Sequence, residues 1–203
     1  MEKREITIGA FRGLITKAGK ARLQMRTEKG SVLGPNVSYK GDLELSGGAA
    51  KEQDLKKVLT ISGLLQESAR EVKEELGVLV LNPSKISLYR AVYVSPDGKK
   101  EDWAFMIPTP PDCWAEEAKT KRKTVDVDPH QLDVLGELNL VVSGKKRMWR
   151  MAQAAIFAVS SVAIYREMAE GLLTGVKPDW RKIEYFEDPE KALAQFRKEL
   201  GLE

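Results

Sequence analysis

The chain has 203 residues, of which 42% are hydrophobic and 31% are charged, and its 33 basic and 30 acidic side chains leave a net charge of +3. These values are typical of a soluble globular protein with a substantial core and argue against a disordered chain. The small net charge does not indicate a nucleic-acid-binding protein, so we expect no nucleic-acid partner. The single cysteine, Cys113, excludes an intrachain disulfide and is compatible with a reducing compartment.

The N-terminus and the most apolar segment both predict a cytoplasmic protein. Residues 1–5 are mostly charged, and the apolar stretch of a signal peptide does not follow them. Residues 151–165 are the most apolar segment, but they fall short of the ~20 residues that span a bilayer. We therefore expect a buried core helix there, and no membrane partner.

The first part of the chain carries strand and turn signals. Residues 5–27 predict two strands joined at a turn around Gly19, and the second strand alternates apolar and polar side chains, which predicts one solvent-facing side. Residues 28–42 contain glycine, proline and asparagine and predict a loop. Residues 43–46 predict a short strand that leads into a Gly-Gly pair, residues 47–48.

The middle of the chain combines a helical pattern with a hairpin. Residues 54–76 have apolar side chains at helical spacing and predict a helix broken near residues 62–63. Strand-like residues 86–94 and 103–107 flank a Ser-Pro-Asp-Gly turn, which predicts a hairpin. The prolines of residues 108–131 predict irregular structure.

The C-terminal part of the chain is mainly helical in pattern. After a short strand predicted at 135–142, residues 146–173 predict a long helix, and residues 188–200 predict a final helix that begins with an Asp-Pro capping signal. This order of strands and helices predicts a mixed α/β (α+β) fold. We expect one domain over residues 1–144, with the helices of residues 145–203 packed on it.

The helical segment carries a stripe of carboxylates. At ~100° per residue, one helix face holds Glu67, Glu71, Glu74 and Glu75, and the opposite face is apolar. Like charges four residues apart destabilise a helix by about 0.2–0.5 kcal/mol per pair. A hard divalent cation such as Mg²⁺ would offset this repulsion, because it prefers carboxylate oxygens. A solvated helix surface without a ligand is the alternative, since most glutamate-rich faces bind nothing.

Residues 70–78, with the sequence Arg-Glu-Val-Lys-Glu-Glu-Leu-Gly-Val, resemble the second half of the Nudix box, REUxEExGU, in which U is a bulky aliphatic residue. The strand and Gly-Gly pair of residues 43–48 resemble the opening of the box, and residues 101–105 resemble a strand that commonly follows it. The resemblance covers residues 5–140. It implies a Nudix-like mixed-sheet α/β/α sandwich with a helical C-terminal extension.

The first half of the box departs from the family pattern. Residues 49–69 separate Gly48 from Arg70, which is a longer spacing than the family's, and Ser62 stands where the family has a glutamate upstream of the arginine. Counting forward from Gly48 places Asp54 at the position of that glutamate instead. We therefore expect an insertion around Leu55–Ser62, in the loop before the helix.

The resemblance implies a metal-dependent hydrolase that cleaves the pyrophosphate linkage of a nucleoside diphosphate bonded to another moiety. The cofactor it implies is Mg²⁺ or Mn²⁺, which would activate water and neutralise phosphate charge. The implied metal ligands are Glu71, Glu74, Glu75 and the carbonyl of Gly47. Glu74 and Glu75 are also the implied catalytic residues, together with Arg70, which would orient a helix carboxylate.

The general base and the substrate contacts are less well defined by the resemblance. Many family members use a glutamate in a later loop as the base, and Glu116, Glu117 and Glu137 are the candidates here, of which we favour Glu137. We expect Arg26, in the early hairpin, and Trp103 to contact the nucleotide-derived substrate. The apolar alternation around Trp103 predicts core packing equally well.

Two other functions stay open. The altered first half of the box is compatible with a catalytically silent Nudix domain that binds a nucleotide or a protein partner, whereas the intact glutamates argue against it. The apolar residues 148–165 are compatible with an interaction protein, because a helix there would bury one face in a homodimer.

Overall fold

The structure, a computed structural model, describes residues 5–25, 43–50, 54–94, 98–117, 122–127 and 183–202. The described elements, in chain order, are β1 (Glu5–Ile15), β2 (Ala21–Met25), β3 (Leu43–Glu44), β4 (Ser46–Ala49), α1 (Leu55–Val58), α2 (Ile61–Leu76), β5 (Val78–Val80), β6 (Leu88–Val94), β7 (Lys100–Thr109), β8 (Trp114–Glu116), β9 (Thr124–Val127), β10 (Ile183–Phe186) and α3 (Pro189–Glu199). A short 3₁₀ turn, Pro111–Cys113, precedes β8.

Most of the described strands form one mixed sheet. Its order is β10-β6-β7-β1-β2-β3, with β4 paired to β1 and β9 paired to β2. β1 and β7 run parallel in the centre, from the pair Glu5–Lys100 to the pair Leu14–Thr109, and the other described pairs in this sheet are antiparallel. β5 and β8 form a separate two-stranded sheet. The mixed sheet with helices confirms the predicted α+β class.

The two longer helices, α2 and α3, pack on the same face of this sheet. Leu64 of α2 and Phe196 of α3 join Ile8 and Phe105 of the two central strands in one buried cluster. A smaller cluster under the second half of α2 contains Val72 and its neighbours. Burial of these apolar side chains, worth about 1.5–3 kcal/mol each, fixes the rotation of α2 on the sheet and so decides which of its faces stays accessible.

The bounds of α2 are set by its two caps. Thr60 Oγ1 accepts a hydrogen bond from the Gly63 amide at 2.9 Å, and Gly77 ends the helix in the left-handed conformation at φ 64°. The break between the helices lies at Leu59–Thr60, slightly before the position near residues 62–63 that the sequence predicts. Gly63 is a packing position, because a Cβ there would lie 2.0 Å from the Lys57 carbonyl oxygen. The absence of that Cβ lets α1 lie directly on the first turn of α2.

The remaining predicted elements have mixed outcomes. The strand pairs of both predicted hairpins and the final helix are confirmed, although residues 95–97 of the second turn lie outside the described residues. Asp188 caps α3 by accepting a hydrogen bond from the Lys191 amide at 3.0 Å. β8 and β9 lie in the segment predicted to be irregular, where pairing with β5 and β2 makes them strands. β10 was not predicted, and it forms by pairing with β6.

Several expectations fall on residues that the structure does not describe. These are the loop at 28–42, the strand at 135–142, the helix at 146–173 and the homodimer face at 148–165. The predicted division into residues 1–144 and 145–203 therefore stays a prediction; of the second part the structure describes β10 and α3, and α3 packs on the sheet. Among the described residues, no helix has both the length and the apolar character needed to cross a membrane.

Candidate active site

The carboxylate stripe of α2 lies over strand β4 and the neighbouring end of β2. The side chains of Glu71 and Glu75 are 17% and 12% exposed, whereas that of Glu74 is 59% exposed. The burial differs because Glu71 lies against Gly48 of β4, and Glu75 accepts hydrogen bonds from Gln24 of β2 and Ser46 of β4. The stripe therefore lies where α2 meets the sheet, and Glu74 is its solvent-exposed member.

Arg70 compensates the charge of three of these carboxylates. Its Nη2 donates to Glu67 Oε1 at 2.6 Å and to Glu71 Oε1, and its Nη1 donates to Glu74 Oε2 at 2.8 Å. The hydrogen bond from Arg70 to Glu67 is the largest cause that raises the pKa of Arg70, and that to Glu74 follows, so the guanidinium stays charged. These contacts hold the glutamates of the first half of the stripe together despite their mutual repulsion.

Glu75 has a separate set of partners on the sheet. Its Oε2 accepts hydrogen bonds from Gln24 Nε2 and Ser46 Oγ, both at 2.8 Å, and from the Gly47 amide at 3.3 Å. Arg122 Nη1 lies 2.8 Å from Glu75 Oε1. Contacts from β2, β4 and the segment before β9 thus hold this carboxylate in one orientation, as catalytic or metal-binding groups require.

Glu71 lies against the backbone of the Gly-Gly pair. A Cβ at position 48 would come within 2.7 Å of both Cδ and Oε1 of Glu71, so only glycine leaves room for the carboxylate. Burial raises the pKa of Glu71; the charge of Arg70 opposes this rise and the charge of Glu75 adds to it. A cation bound at Glu71 would relieve the cost of keeping this carboxylate ionised.

The chemistry of these donors fits a hard divalent cation. Carboxylate and carbonyl oxygens are its preferred ligands, and the cradle at Gly48 seats the Glu71 carboxylate beside Glu75. Nevertheless, in the part of the chain that the structure describes, no three or more His, Cys, Asp or Glu side chains are already grouped to hold a metal ion. Arg70 lies among the glutamates of the stripe and pairs with three of them. A cation at Glu71 would have to displace this guanidinium from at least one carboxylate.

The structure also locates some of the other predicted site residues. Trp103 is 7% exposed and packs edge-on against Phe196, with the ring centroids 5.5 Å apart. It therefore belongs to the core, and its ring is not an open surface for a nucleobase. Of the candidates for the general base, Glu117 lies 3.5 Å from Lys73 and Glu116 pairs with Arg22. Arg26 and Glu137 lie outside the described residues, so their roles stay predictions.

The sequence did not identify the residues that hold Glu75. Gln24 was assigned to a solvent-facing side of its strand, but that side lies under α2 and Gln24 is 1% exposed. Arg122 belongs to a basic run that suggests a solvated loop, yet its side chain bridges Glu75 and Glu44.

Comparison with solved structures identifies the fold. The crystal structure of a MutT Nudix hydrolase from Burkholderia pseudomallei is similar with a TM-score of 0.51 at 14% identity, covering 77% of this chain and 100% of that one. A MutT protein from Methanosarcina mazei Go1 has a TM-score of 0.49 at 16% identity, covering 78% of this chain and 96% of that one. The E. coli ORF135 protein has a TM-score of 0.43 at 15% identity, covering 67% and 81%. No family model and no curated protein matches the sequence. The similarity to the Burkholderia pseudomallei structure shows that the chain has the Nudix fold, as the resemblance implied.

Proposed function

We propose that this Nudix-fold chain is a metal-dependent hydrolase that cleaves the pyrophosphate linkage of a nucleoside diphosphate bonded to another moiety. The observation that carries the proposal is the contact between the α2 carboxylates and the Gly-Gly strand, in which Glu71 lies against Gly48 and Glu75 bonds the Gly47 amide. This contact joins the two halves of the sequence motif in space, although residues 49–69 separate them along the chain. It brings two glutamates, a backbone amide and the arginines that contact these glutamates close together, which supports the proposal.

The metal ligands in this proposal are Glu71, Glu74, Glu75 and the carbonyl of Gly47. Bound Mg²⁺ or Mn²⁺ supplies charge neutralisation at the phosphates and a water molecule of lowered pKa. Two of these residues are held in different ways. Glu75 is fixed by hydrogen bonds from the sheet, whereas Glu74 is exposed and contacts Arg70. The general base in the proposal is Glu137.

The two arginines have distinct tasks in this scheme. Arg70 keeps Glu71 and Glu74 oriented while the site is free of metal, because it donates to both. Arg122 holds Glu75 and Glu44 from the opposite side of the stripe. In the proposal Arg122 would also donate to a substrate phosphate, for which arginine has the matching geometry.

The test is hydrolysis of a panel of nucleoside di- and triphosphate derivatives by the full chain with Mg²⁺ or Mn²⁺. We expect turnover of one substrate class by the wild type and its loss in Glu75→Gln. Glu199→Gln is the matched control, because Glu199 lies on α3 and its side chain bonds only Gln195 among the described residues. The proposal fails if folded wild-type protein hydrolyses nothing, or if Glu75→Gln is as active as Glu199→Gln.

One observation favours a second candidate function, a catalytically silent domain that binds a nucleotide. Arg70 already compensates three glutamates, and no preformed metal cluster exists among the described residues. Calorimetric titration with Mn²⁺ near neutral pH distinguishes the two functions. Binding that Glu75→Gln abolishes supports the hydrolase, whereas absence of binding to the wild type supports the silent domain.

A further inference from the structure

The two oxygens of the Glu75 carboxylate have different partners. Oε2 accepts hydrogen bonds from Gln24 and Ser46, both at 2.8 Å, and from the Gly47 amide at 3.3 Å. A carboxylate oxygen has two lone pairs, so these three donors leave Oε2 without capacity for another partner. Oε1 lies 2.8 Å from Arg122 Nη1. A further ligand of Glu75 is therefore expected at Oε1, beside the guanidinium of Arg122.

Arg122 lies between two carboxylates. Its Nη1 donates to Glu44 Oε1 at 3.3 Å in addition to its contact with Glu75. The side chains of Arg122 and Glu44 are 17% and 15% exposed, so both are largely buried. Gln24 Nε2 also contacts both carboxylates, at 3.3 Å from Glu44 Oε1 and 2.8 Å from Glu75 Oε2. Glu44 and Glu75 thus share two donor residues, of which only Arg122 is charged.

The sheet fixes the backbone of the residues that hold this arrangement. Glu44 pairs with Gln24 between β3 and β2. The Met25 amide donates to the carbonyl oxygen of Lys123, the residue after Arg122, at 2.8 Å. A change of partner between Glu75 and Glu44 is therefore a movement of the Arg122 side chain and needs no movement of the strands.

Arg122 differs from Arg70 in its access to water. The Arg70 side chain is 47% exposed, so water can solvate its guanidinium when it leaves a carboxylate. The Arg122 side chain is largely buried, and a buried charge without an acceptor is unfavourable. Glu44 is an acceptor that already lies within reach of Nη1. The release of Arg122 from Glu75 is therefore favoured by Glu44.

We propose that Arg122 competes with the divalent cation for Glu75, and that Glu44 favours metal binding by retaining Arg122. The inference rests on the hydrolase function proposed above and concerns the regulation of the same site. Both positive charges require Glu75 Oε1, and they repel each other at that distance. Arg122 and Glu44 are positioning residues, because they act through Glu75. Arg122 lowers the affinity for the cation, whereas Glu44 raises it.

The test is the affinity of the full chain for Mn²⁺, measured by calorimetric titration. We expect Arg122→Met to bind Mn²⁺ about tenfold more tightly than the wild type, because the competing charge-assisted contact is lost. Arg122→Gln should show the same gain, and it replaces Arg122→Met if that variant does not fold. Lys123→Met is the matched control, because it removes the same charge from the next residue, which is exposed. It should bind Mn²⁺ within about twofold of the wild type, since exposed charges are screened.

The sign of the effect distinguishes competition from a structural role. If Arg122 served only to hold Glu75 in place, its removal would loosen the site and weaken the binding of Mn²⁺. Weaker binding by folded Arg122→Met and Arg122→Gln, or an affinity equal to that of Lys123→Met, would therefore overturn the proposal.

Glu44→Gln tests whether Glu44 acts through Arg122 or contacts the metal directly. We expect this substitution to weaken Mn²⁺ binding about threefold or more, because Arg122 then stays at Glu75. In the Arg122→Met background, Glu44→Gln should have no effect, since there is no guanidinium left to retain. An equal loss of affinity in both backgrounds would show that Glu44 acts on the metal itself and would refute the role assigned to it.

The titrations also separate failure of this inference from failure of the hydrolase function. If the wild type binds Mn²⁺ but hydrolyses no substrate, the hydrolase proposal is wrong, and the comparison of Arg122→Met with Lys123→Met still decides the competition. If the wild type hydrolyses a substrate and both variants bind Mn²⁺ alike, the hydrolase function stands and the competition is refuted. Absence of Mn²⁺ binding in both the wild type and Arg122→Met refutes both proposals.

Discussion

The Glu71 carboxylate occupies the volume that a side chain at position 48 would fill, with its Cδ 2.7 Å from the place of a Cβ there. Glycine at position 48 is therefore a requirement of the helix–sheet contact. This contact joins the α2 carboxylates to the Gly-Gly strand, and both contribute ligands to the proposed metal site. A substitution at position 48 should consequently act on Glu71 first and on the fold second.

Gly48→Ala should reduce metal-dependent activity about tenfold or more while costing about 1–3 kcal/mol of stability, because overpacking displaces the Glu71 carboxylate. The measurements are the rate with Mg²⁺, the affinity for Mn²⁺ and unfolding in urea. Gly19→Ala is the control, since a Cβ there meets nothing within 4 Å and only the positive φ of 72° opposes it. Retention of wild-type activity in Gly48→Ala would show that Glu71 is not a ligand.

The sequence predicts best those features that depend on neighbouring residues. The end of α2 at Gly77 follows from local periodicity and a glycine cap. By contrast, β9 forms because Val127 pairs with Ala21, which is distant in the sequence. No local sequence pattern predicts such a pairing. Arg122 reaches Glu75 through that same pairing, so its contact was not predictable.

The prediction that Gln24 faces solvent was wrong for a different physical reason. Alternation along β2 shows that the strand has two faces, but a period of two does not tell which face meets water. Here both faces are covered, since Leu23 is 0% and Gln24 1% exposed. A polar side chain in such a place needs partners, and Gln24 finds one in Glu75. Gln24, one of the two site residues that the sequence missed, is thus a buried polar group of the sheet.

Glu74→Gln and Glu75→Gln should differ in stability although both are expected to abolish turnover. Glu74 is 59% exposed and bonds only Arg70 among the described residues, so its loss should cost under about 0.5 kcal/mol. Glu75 is 12% exposed and accepts from three groups of the sheet in addition to Arg122, so its loss should cost about 1–3 kcal/mol. Urea unfolding of both variants without metal measures the difference, and equal costs would contradict the contacts of Glu75.

Arg70→Met should make the free energy of unfolding more dependent on divalent cations. The substitution leaves Glu67, Glu71 and Glu74 without their shared counter-charge, which should cost about 1 kcal/mol at low salt because Arg70 is 47% exposed. A cation that binds these glutamates should restore the loss. Thermal unfolding with MgCl₂, against NaCl of equal ionic strength, should show a larger rise in Tm for Arg70→Met than for the wild type. An equal rise in Tm for both proteins would mean that the cation does not bind the glutamates that Arg70 contacts.

Arg12→Met should stabilise the protein. Arg12 is fully buried in β1, where Nη2 donates to the Leu65 carbonyl oxygen at 3.1 Å and to Asn82 Oδ1 at 3.4 Å. Within the described residues, its Nε and Nη1 have no hydrogen-bond partner. Replacing a buried, incompletely paired charge by an apolar side chain of similar length should add about 1–3 kcal/mol to the free energy of unfolding. Arg22→Met is the control and should destabilise, because Arg22 bonds both oxygens of Asp126, at 2.8 and 3.0 Å.

The pH dependence of the stability gained in Arg12→Met follows from the pKa of Arg12, which burial lowers to about 10. A base whose pKa is lower in the folded state destabilises the fold wherever its charged form dominates in both states, which here means below about pH 10. The difference in unfolding free energy between Arg12→Met and the wild type should therefore be constant from about pH 6 to about pH 9. It should shrink only above about pH 10, as folded Arg12 loses its proton. Urea unfolding at several pH values measures this, and a lower stability of Arg12→Met at pH 7 would show that Arg12 has a compensating partner.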